Sequence, residues 1–433
     1  MRHALMISAI LAFALAAAAP AQTAHAVTTL SCSPAPCVLP PTQASEGGGF
    51  QTDPTVTANP KNAQQLLLGG VDYDCAGPSN VAVYFSVDGG SAWTRVDCMP
   101  GLEVDKRNYT AVVEPHVGYD AKGSTYSAGV YNVLSGNGRH GLVAVQRSTN
   151  GTTWGTPAPA LLQPSNTSFY LTHMSVDASP TSPRAGEIYV SGVFVSKPGT
   201  QVMVAHSNDG GDTWTQVAVD SVQQFPYSDA FTRMAVGKNG TVYVTWLGGK
   251  GNPCPLMLST SSDGGNTWST PRQIAEVNTA PSLPHTGERV YDYPSIAVDN
   301  SDGPYAGNLY VVMYDDTGTY LKVQMIRSTD GGSAWSKPLR LAPESDTHDQ
   351  FFPAISANKD GLVGVSWLDR RNDPKDIDYQ AFAAISYDGG QTFGPNWQLT
   401  TAFSNPTTGN PGWIGDYTGN TWVDDKFIAA WMD

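Results

Sequence analysis

The sequence is poor in charge, in helical patterning and in cysteine. Charged residues make up 14% of its 433 positions, and no long stretch carries apolar residues at helical spacing. Runs of Lys or Arg are absent: 38 acidic residues face 24 basic ones, for a net charge of −14. The electrostatic footprint of a nucleic-acid binder is therefore missing. An anionic ligand would need a local cluster of Arg to be held. There are five Cys, and no zinc-type Cys/His spacing, so neither a metal nor a cofactor is expected. Only one long apolar run exists, Leu5 to Ala19. It follows Arg2 and His3 and precedes the small-x-small site Ala24-His25-Ala26, so residues 1–26 read as a secretory signal. The run is too short to span a membrane comfortably, and no second one follows. The expected product is a monomer outside the cell or in the periplasm. Export permits disulfides. Proximity in sequence pairs Cys32 with Cys37 and Cys75 with Cys98, leaving Cys254 free.

What the sequence does have is punctuation: 44 Gly and 31 Pro separate short alternating apolar runs, as in all-β proteins. Two motifs recur in step. The first is a hairpin, Ser86-Val87-Asp88-Gly89-Gly90-Ser91-Ala92-Trp93, with copies beginning at Ser207, Ser261, Ser328 and Ser386. A copy from Ser148 to Trp154 is one residue short and has Asn150 in place of Asp. The Asp caps backbone N–H groups, the glycines supply positive φ, and the aromatic packs back on the sheet. The second motif is a strand pair starting near Pro54, Pro115, Met174, Met234, Pro294, Pro353 and Tyr417. Repeats of about sixty residues, each offering four strands, predict a β-propeller over residues 27–433. Seven pairs and six hairpins predict seven blades, the last completed by N-terminal residues such as Val27 to Cys32. Six blades with a C-terminal appendage is the alternative.

The hairpin Ser-x-Asp-Gly-Gly-x-Thr-Trp resembles the Asp-box, or BNR repeat, of the sialidase superfamily. The resemblance covers nearly all of the mature chain. It implies a glycan-directed protein, with the boxes structural and away from any active site. An exo-sialidase-like hydrolase acting on acidic sugars is one expectation; a non-catalytic module binding glycans or proteins is the other. Sialidases carry an Arg in a first-blade Phe/Tyr-Arg-Ile-Pro motif; here the stretch is Phe50-Gln51-Thr52-Asp53-Pro54, without it. The resemblance places Asp72 and Asp74 near an acid/base position and Tyr417 at the nucleophile position.

Propeller geometry independently nominates residues at one mouth of the central channel, where polar groups from different blades converge. Before the inner strands stand Asp53, Glu114, His173, Arg233, Asp292 and Asp416; ending the second strands stand Asp72, Asp74, Asp315, Asp316, Asp369, Arg370 and Arg371. In the enzyme reading Tyr417, Asp72, Asp74 and Asp416 are catalytic. Arg233, Arg370, Arg371, Asp53 and Glu114 then hold the substrate. The structural alternative for each is a turn cap, a packed side chain or an ion pair between blades.

Overall fold

The computed structural model describes residues 36–433, except 46, 136–137, 164–167, 227, 344 and 409–411, and the side chains of 134–140 and 164–171. The signal expected at 1–26, Val27 to Cys32, and Cys32 itself lie outside these residues. The described chain is all β. Six antiparallel sheets of four or five strands follow one another along the sequence, at 51–98, 102–162, 168–224, 230–277, 295–340 and 350–398. These are blades 1 to 6 of a propeller. The complete blades number six, the alternative count, not seven. The seventh strand pair, Gly419–Val423 with Lys426–Ala430, is a two-stranded sheet. It lies between blades 6 and 1. Thr418 Oγ1 donates to Phe352 O at 2.7 Å and Asn420 Nδ2 to Ala354 O at 2.7 Å, while Gly419 packs so close to blade 1 that a Cβ would meet Pro54 O at 2.8 Å.

The hairpins form as their sequence dictates. In blade 4, Ser261 Oγ donates to Asp263 Oδ1 at 2.8 Å and accepts Gly265 N at 2.8 Å, and Asp263 caps Thr267 N at 2.9 Å. Gly264 and Gly265 have φ of 78° and 83°, open to glycine without strain. Ser86, Ser207, Ser328 and Ser386 repeat the arrangement. Asn150 substitutes for the Asp in the shortened copy, capping Thr153 N at 2.8 Å.

The inner strands carry a feature the repeat pattern does not announce. Pairing slips between Thr52 and Thr55 in blade 1, Val113 and His116 in blade 2, Tyr170 and His173 in blade 3, Ala230 and Arg233 in blade 4, and Phe351 and Ala354 in blade 6. Asp53, Glu114, Phe231 and Phe352 sit at these bulges with φ between 50° and 61°. Left-handed backbone at a residue with Cβ costs ~1–2 kcal/mol, so recurrence at one register marks a position imposed by the ring. Tyr293 and Tyr417 occupy the matching register in their repeats, two residues before Ser295 and Gly419, where the strands begin.

Cys75 and Cys98 form a disulfide with Cα atoms 5.8 Å apart, as expected, and Cys254 is free. Cys37 is also disulfide-bonded.

Candidate functional site

The bulges aim side chains at the channel in two tiers. Asp53, Glu114, Phe231, Tyr293 and Tyr417 share the upper register, and His116, His173 and Arg233 lie two residues further along their strands. In the lower tier Arg233 is buried. Its guanidinium carbon lies 4.4 Å from the Tyr293 ring centre and 4.8 Å from that of Tyr417, and Nη1 donates to Thr172 O and Thr232 O at 3.2 Å. Tyr417 is buried as well, its hydroxyl donating to Pro115 O at 3.3 Å. Burial, then the carboxylates of Glu114 and Asp53, push its phenol well above the ordinary value. The imidazole of His116 donates through Nε2–H to Thr172 O at 3.0 Å, and His173 Nδ1 accepts Met234 N–H at 3.2 Å. Burial, with the Arg233 charge second, lowers His116 to about 3 and His173 well below the usual imidazole value. Both are neutral.

Three acids gather above them. Asp53 Oδ1 accepts Asp416 N–H at 2.6 Å, and Tyr293 OH donates to Glu114 Oε1 at 3.1 Å. Asp416 takes both Nη2 contacts of Arg289 at 2.7 and 2.6 Å, and Trp413 Nε1 at 3.3 Å. Burial, followed by the charges of Asp416 and Glu114, raises Asp53 well above the carboxylate range. Burial also raises Asp416, although Arg289 opposes it. Asp292 is raised by burial too, while Tyr314 N donates to it at 3.1 Å.

Aromatic groups border this cluster. Tyr73, 47% exposed, lies 6.2 Å from Phe50, and Phe50 lies 5.9 Å from Trp413. The guanidinium of Arg289 is 5.6 Å from the Trp413 ring and 4.7 Å from that of Tyr291, which in turn is 5.0 Å from Phe231. Arg289, Tyr291, Tyr293 and Trp413 were not nominated by the sequence pattern. The only local signal is the density of aromatics in Tyr291-Asp292-Tyr293, ahead of Pro294.

The other nominated residues lie elsewhere in the fold. Asp72 is buried, accepting Tyr84 OH at 2.5 Å, Arg95 Nη1 at 2.8 Å and Asp74 N at 2.8 Å. Burial alone would raise its carboxyl, but these donors hold it below the ordinary value. Asp74 accepts Gly49 N at 2.9 Å. Arg370 is fully buried, spending its guanidinium on Pro284 O at 3.0 Å, Asp349 Oδ2 at 3.3 Å and Thr286 Oγ1 at 2.9 Å. Arg371 pairs with Asp369 at 2.5 Å and covers the Phe382 ring at 4.4 Å. Asp315 is paired with Arg340 at 2.9 Å, and Asp316 Oδ1 caps Gly318 N at 2.8 Å. The structure thus brings Asp53, Glu114, Arg233, Asp416 and Tyr417 together; Asp72 and Asp74 border the outer side of Phe50 and Gln51, and Arg370 and Arg371 belong to separate networks. Among the described residues, no group of three or more His, Cys, Asp or Glu is placed to hold a metal ion.

No family model matches the chain, and no curated protein does. Solved structures do. An α-L-arabinofuranosidase variant from Fusarium graminearum, bound to an iminosugar inhibitor, is 13% identical; the match covers 78% of this chain and 92% of that one, with a TM-score of 0.50. The intramolecular trans-sialidase of Ruminococcus gnavus, bound to oseltamivir carboxylate, is 10% identical over 80% of this chain and 96% of that one, with a TM-score of 0.51. At such identities the likeness is one of architecture: this chain has the sialidase-like β-propeller fold.

Proposed function

We propose that the protein is a glycoside hydrolase acting on a neutral sugar at the channel mouth. The observation that carries this reading is the Asp53–Asp416 carboxyl pair, raised together beside Glu114 and bordered by Phe50, Trp413 and Tyr291. Glycoside cleavage needs a proton donor to the leaving oxygen and a second carboxylate to activate water or attack the anomeric carbon. Asp53 is suited to the first role, because a carboxyl raised by burial and like charge keeps its proton near neutral pH. Asp416, oriented by the bidentate Arg289, is suited to the second. Aromatic faces beside them would stack on a sugar ring. The glycosidic C–O bond breaks, the Asp53 proton goes to the leaving oxygen, and water supplies the hydroxyl of the freed sugar while its other proton passes to Asp416.

The guanidiniums argue against an acidic sugar. Arg289 is matched by Asp416, Arg370 by Asp349, Arg371 by Asp369, and Arg233 is sealed between two tyrosine rings. A substrate carboxylate would approach three acids, and among the described residues of this site every guanidinium is already committed.

The test is a release assay on aryl glycosides of neutral sugars, with an aryl sialoside and an aryl uronide beside them. Neutral glycosides should be cleaved, and Asp53→Asn and Asp416→Asn should each lower kcat/KM by at least about a hundredfold, the usual worth of a general acid or base. Release from the sialoside alone would sink the neutral-sugar reading. No release at all, with glycan binding abolished by Trp413→Ala, would make the chain a binding module.

A further inference from the structure

Tyr73 is a large aromatic residue left 47% exposed beside the channel mouth. A single exposed ring is ordinary on a protein surface. What sets Tyr73 apart is how firmly its backbone is held. Its N–H donates to Phe50 O at 3.2 Å. Asp72, just before it, accepts Tyr84 OH, Arg95 Nη1 and Asp74 N, and also Gln51 Nε2 at 3.1 Å. Asp74, just after it, accepts Gly49 N. Cys75, next in line, is bridged to Cys98. An ion pair on one side and a disulfide on the other thus fix a short turn that presents one aromatic ring. A ring on so fixed a backbone has little freedom left to lose when a ligand covers it.

Tyr73 stands at one end of a row of flat groups. Its ring centre is 6.2 Å from that of Phe50, and Phe50 is 5.9 Å from Trp413. The Arg289 guanidinium lies 5.6 Å beyond Trp413 and 4.7 Å short of Tyr291. The two acids assigned to the chemistry divide this row. Asp53 is on the strand Gln51–Asn59, which Phe50 precedes. It is near enough to Tyr73 that its charge, second to burial, raises the Tyr73 phenol. Asp416 is held at the other end, by Trp413 and Arg289. A proton donor must face the leaving oxygen. The leaving sugar therefore lies toward Phe50 and Tyr73, and the sugar that keeps the anomeric carbon lies toward Trp413 and Arg289. The ring spacings are close to the length of one sugar unit, so Phe50 meets the first leaving-side unit and Tyr73 the second.

We propose that Tyr73 is a specificity-determining platform for the second sugar on the leaving side, so that the site selects neutral oligosaccharides over a terminal sugar on a small leaving group. This assignment rests on the hydrolase reading, with Asp53 as proton donor. It also gives the Asp72 network and the Cys75–Cys98 bridge a task at the site, which is to hold Tyr73 in place.

The probes are pentasaccharides of arabinose, xylose and galactose, with the glycosyl fluorides of the same sugars. Fluoride has no ring to stack and needs little help from a proton donor. The readout is kcat/KM on the pentasaccharide divided by kcat/KM on the fluoride. Tyr73→Ala should lower this ratio by about three- to tenfold, the worth of one stacked aromatic contact, with the change in KM. Tyr73→Phe, which keeps the ring, should hold the ratio near that of the parent. An unchanged ratio in Tyr73→Ala overturns the proposal, and so does an equal loss in both variants. Asp53→Asn tests the underlying reading separately and should slow the pentasaccharide far more than the fluoride; equal slowing would take the leaving side away from Asp53 and Tyr73 with it. A parent that cleaves neither probe would remove the hydrolase reading. Calorimetric titration with the pentasaccharides then decides on the platform: weaker binding by Tyr73→Ala than by the parent and Tyr73→Phe upholds it, and equal or absent binding overturns it.

Discussion

At the scale of single residues, burial decides what each nominated group can do. Tyr417 shows it most plainly. A nucleophilic phenol must be readily ionised, whereas burial and the neighbouring carboxylates hold this one well above the ordinary value, and it is bonded to a backbone carbonyl. Tyr417→Phe should therefore retain most of the hydrolytic rate while losing about 1 kcal/mol of stability, the worth of one neutral hydrogen bond. Denaturant melts and initial rates on the same preparation check both halves; a collapse of rate with unchanged stability would return Tyr417 to the chemistry. Asp220 offers a second residue-scale test. It shares a site with Asp229, and burial, then the like charge, raises Asp220 to about 7, while burial raises Asp229 to about 6. Free carboxyls ionise near 4, so wild-type stability is present below about pH 4 and is lost as pH rises toward 7. Asp220→Asn keeps an oxygen for Val202 N, which Asp220 now accepts at 2.9 Å, and removes the charge. The variant should melt higher than wild type at pH 8 and at about the same temperature near pH 4.5. A higher melting point for wild type at pH 8 would contradict the raised carboxyl at Asp220.

At the scale of elements, what is local was legible and what is collective was not. The hairpins could be read because a serine, an aspartate and two glycines within five positions satisfy one another, as Ser261 and Asp263 do with Gly265 and Thr267. The same holds for the Cys75–Cys98 bridge, whose cysteines are 23 residues apart inside one blade. Opening it with Cys75→Ser and Cys98→Ser together should cost about 3 kcal/mol, the loop entropy returned to the unfolded chain. Equal denaturation midpoints for variant and parent would show that the sheet alone holds blade 1. The bulges of the inner strands were not legible. Asp53, Glu114, Phe231 and Phe352 have no residue type in common, because their φ is set by neighbouring inner strands and not by their own preference. All three acids of the cluster, Asp53, Glu114 and Asp416, could be named from spacing. Its counter-ion Arg289 could not, since it stands 127 residues from Asp416 on a loop whose path only the closed ring defines. Asp72 misled for a related reason: strand-end position says nothing of whether Tyr84 and Arg95 already occupy the carboxylate.

At the scale of the whole molecule, two populations of carboxyl groups set the response to pH, and they pull in opposite directions. In the hairpins Asp263 is held down to about 2, first by the Thr267 hydroxyl, and Asp209 to about 2 by Thr213 and Ser207 against the effect of burial; Asp330 and Asp388 are lowered as well. A lowered carboxyl stabilises above its unfolded value near 4 and loses that contribution as pH falls through its folded value. In the blades and channel, Asp53, Asp292 and Asp349 join Asp220 and Asp229 in the raised set, Asp349 reaching about 7, all with burial as the first cause. A raised carboxyl is without penalty below the unfolded value and loses stability as pH climbs through the folded one. Both losses begin near pH 4 and move away from it. The net charge of −14 at pH 7 adds self-repulsion on the alkaline side, and the 24 Lys and Arg with the 8 His add it on the acid side once the carboxylates are protonated. Melting temperature at constant ionic strength should therefore peak between about pH 4 and 5, fall gradually to pH 8 as the buried acids ionise, and fall again below about pH 3 as the hairpin caps are protonated. Added salt should flatten the self-repulsion part of the alkaline limb and leave the part due to buried acids, which are screened far less. A melting temperature that climbs steadily from pH 4 to pH 8 would mean that the channel and blade acids are paired in ways that favour their ionised forms, and would remove the proton donor assigned to Asp53.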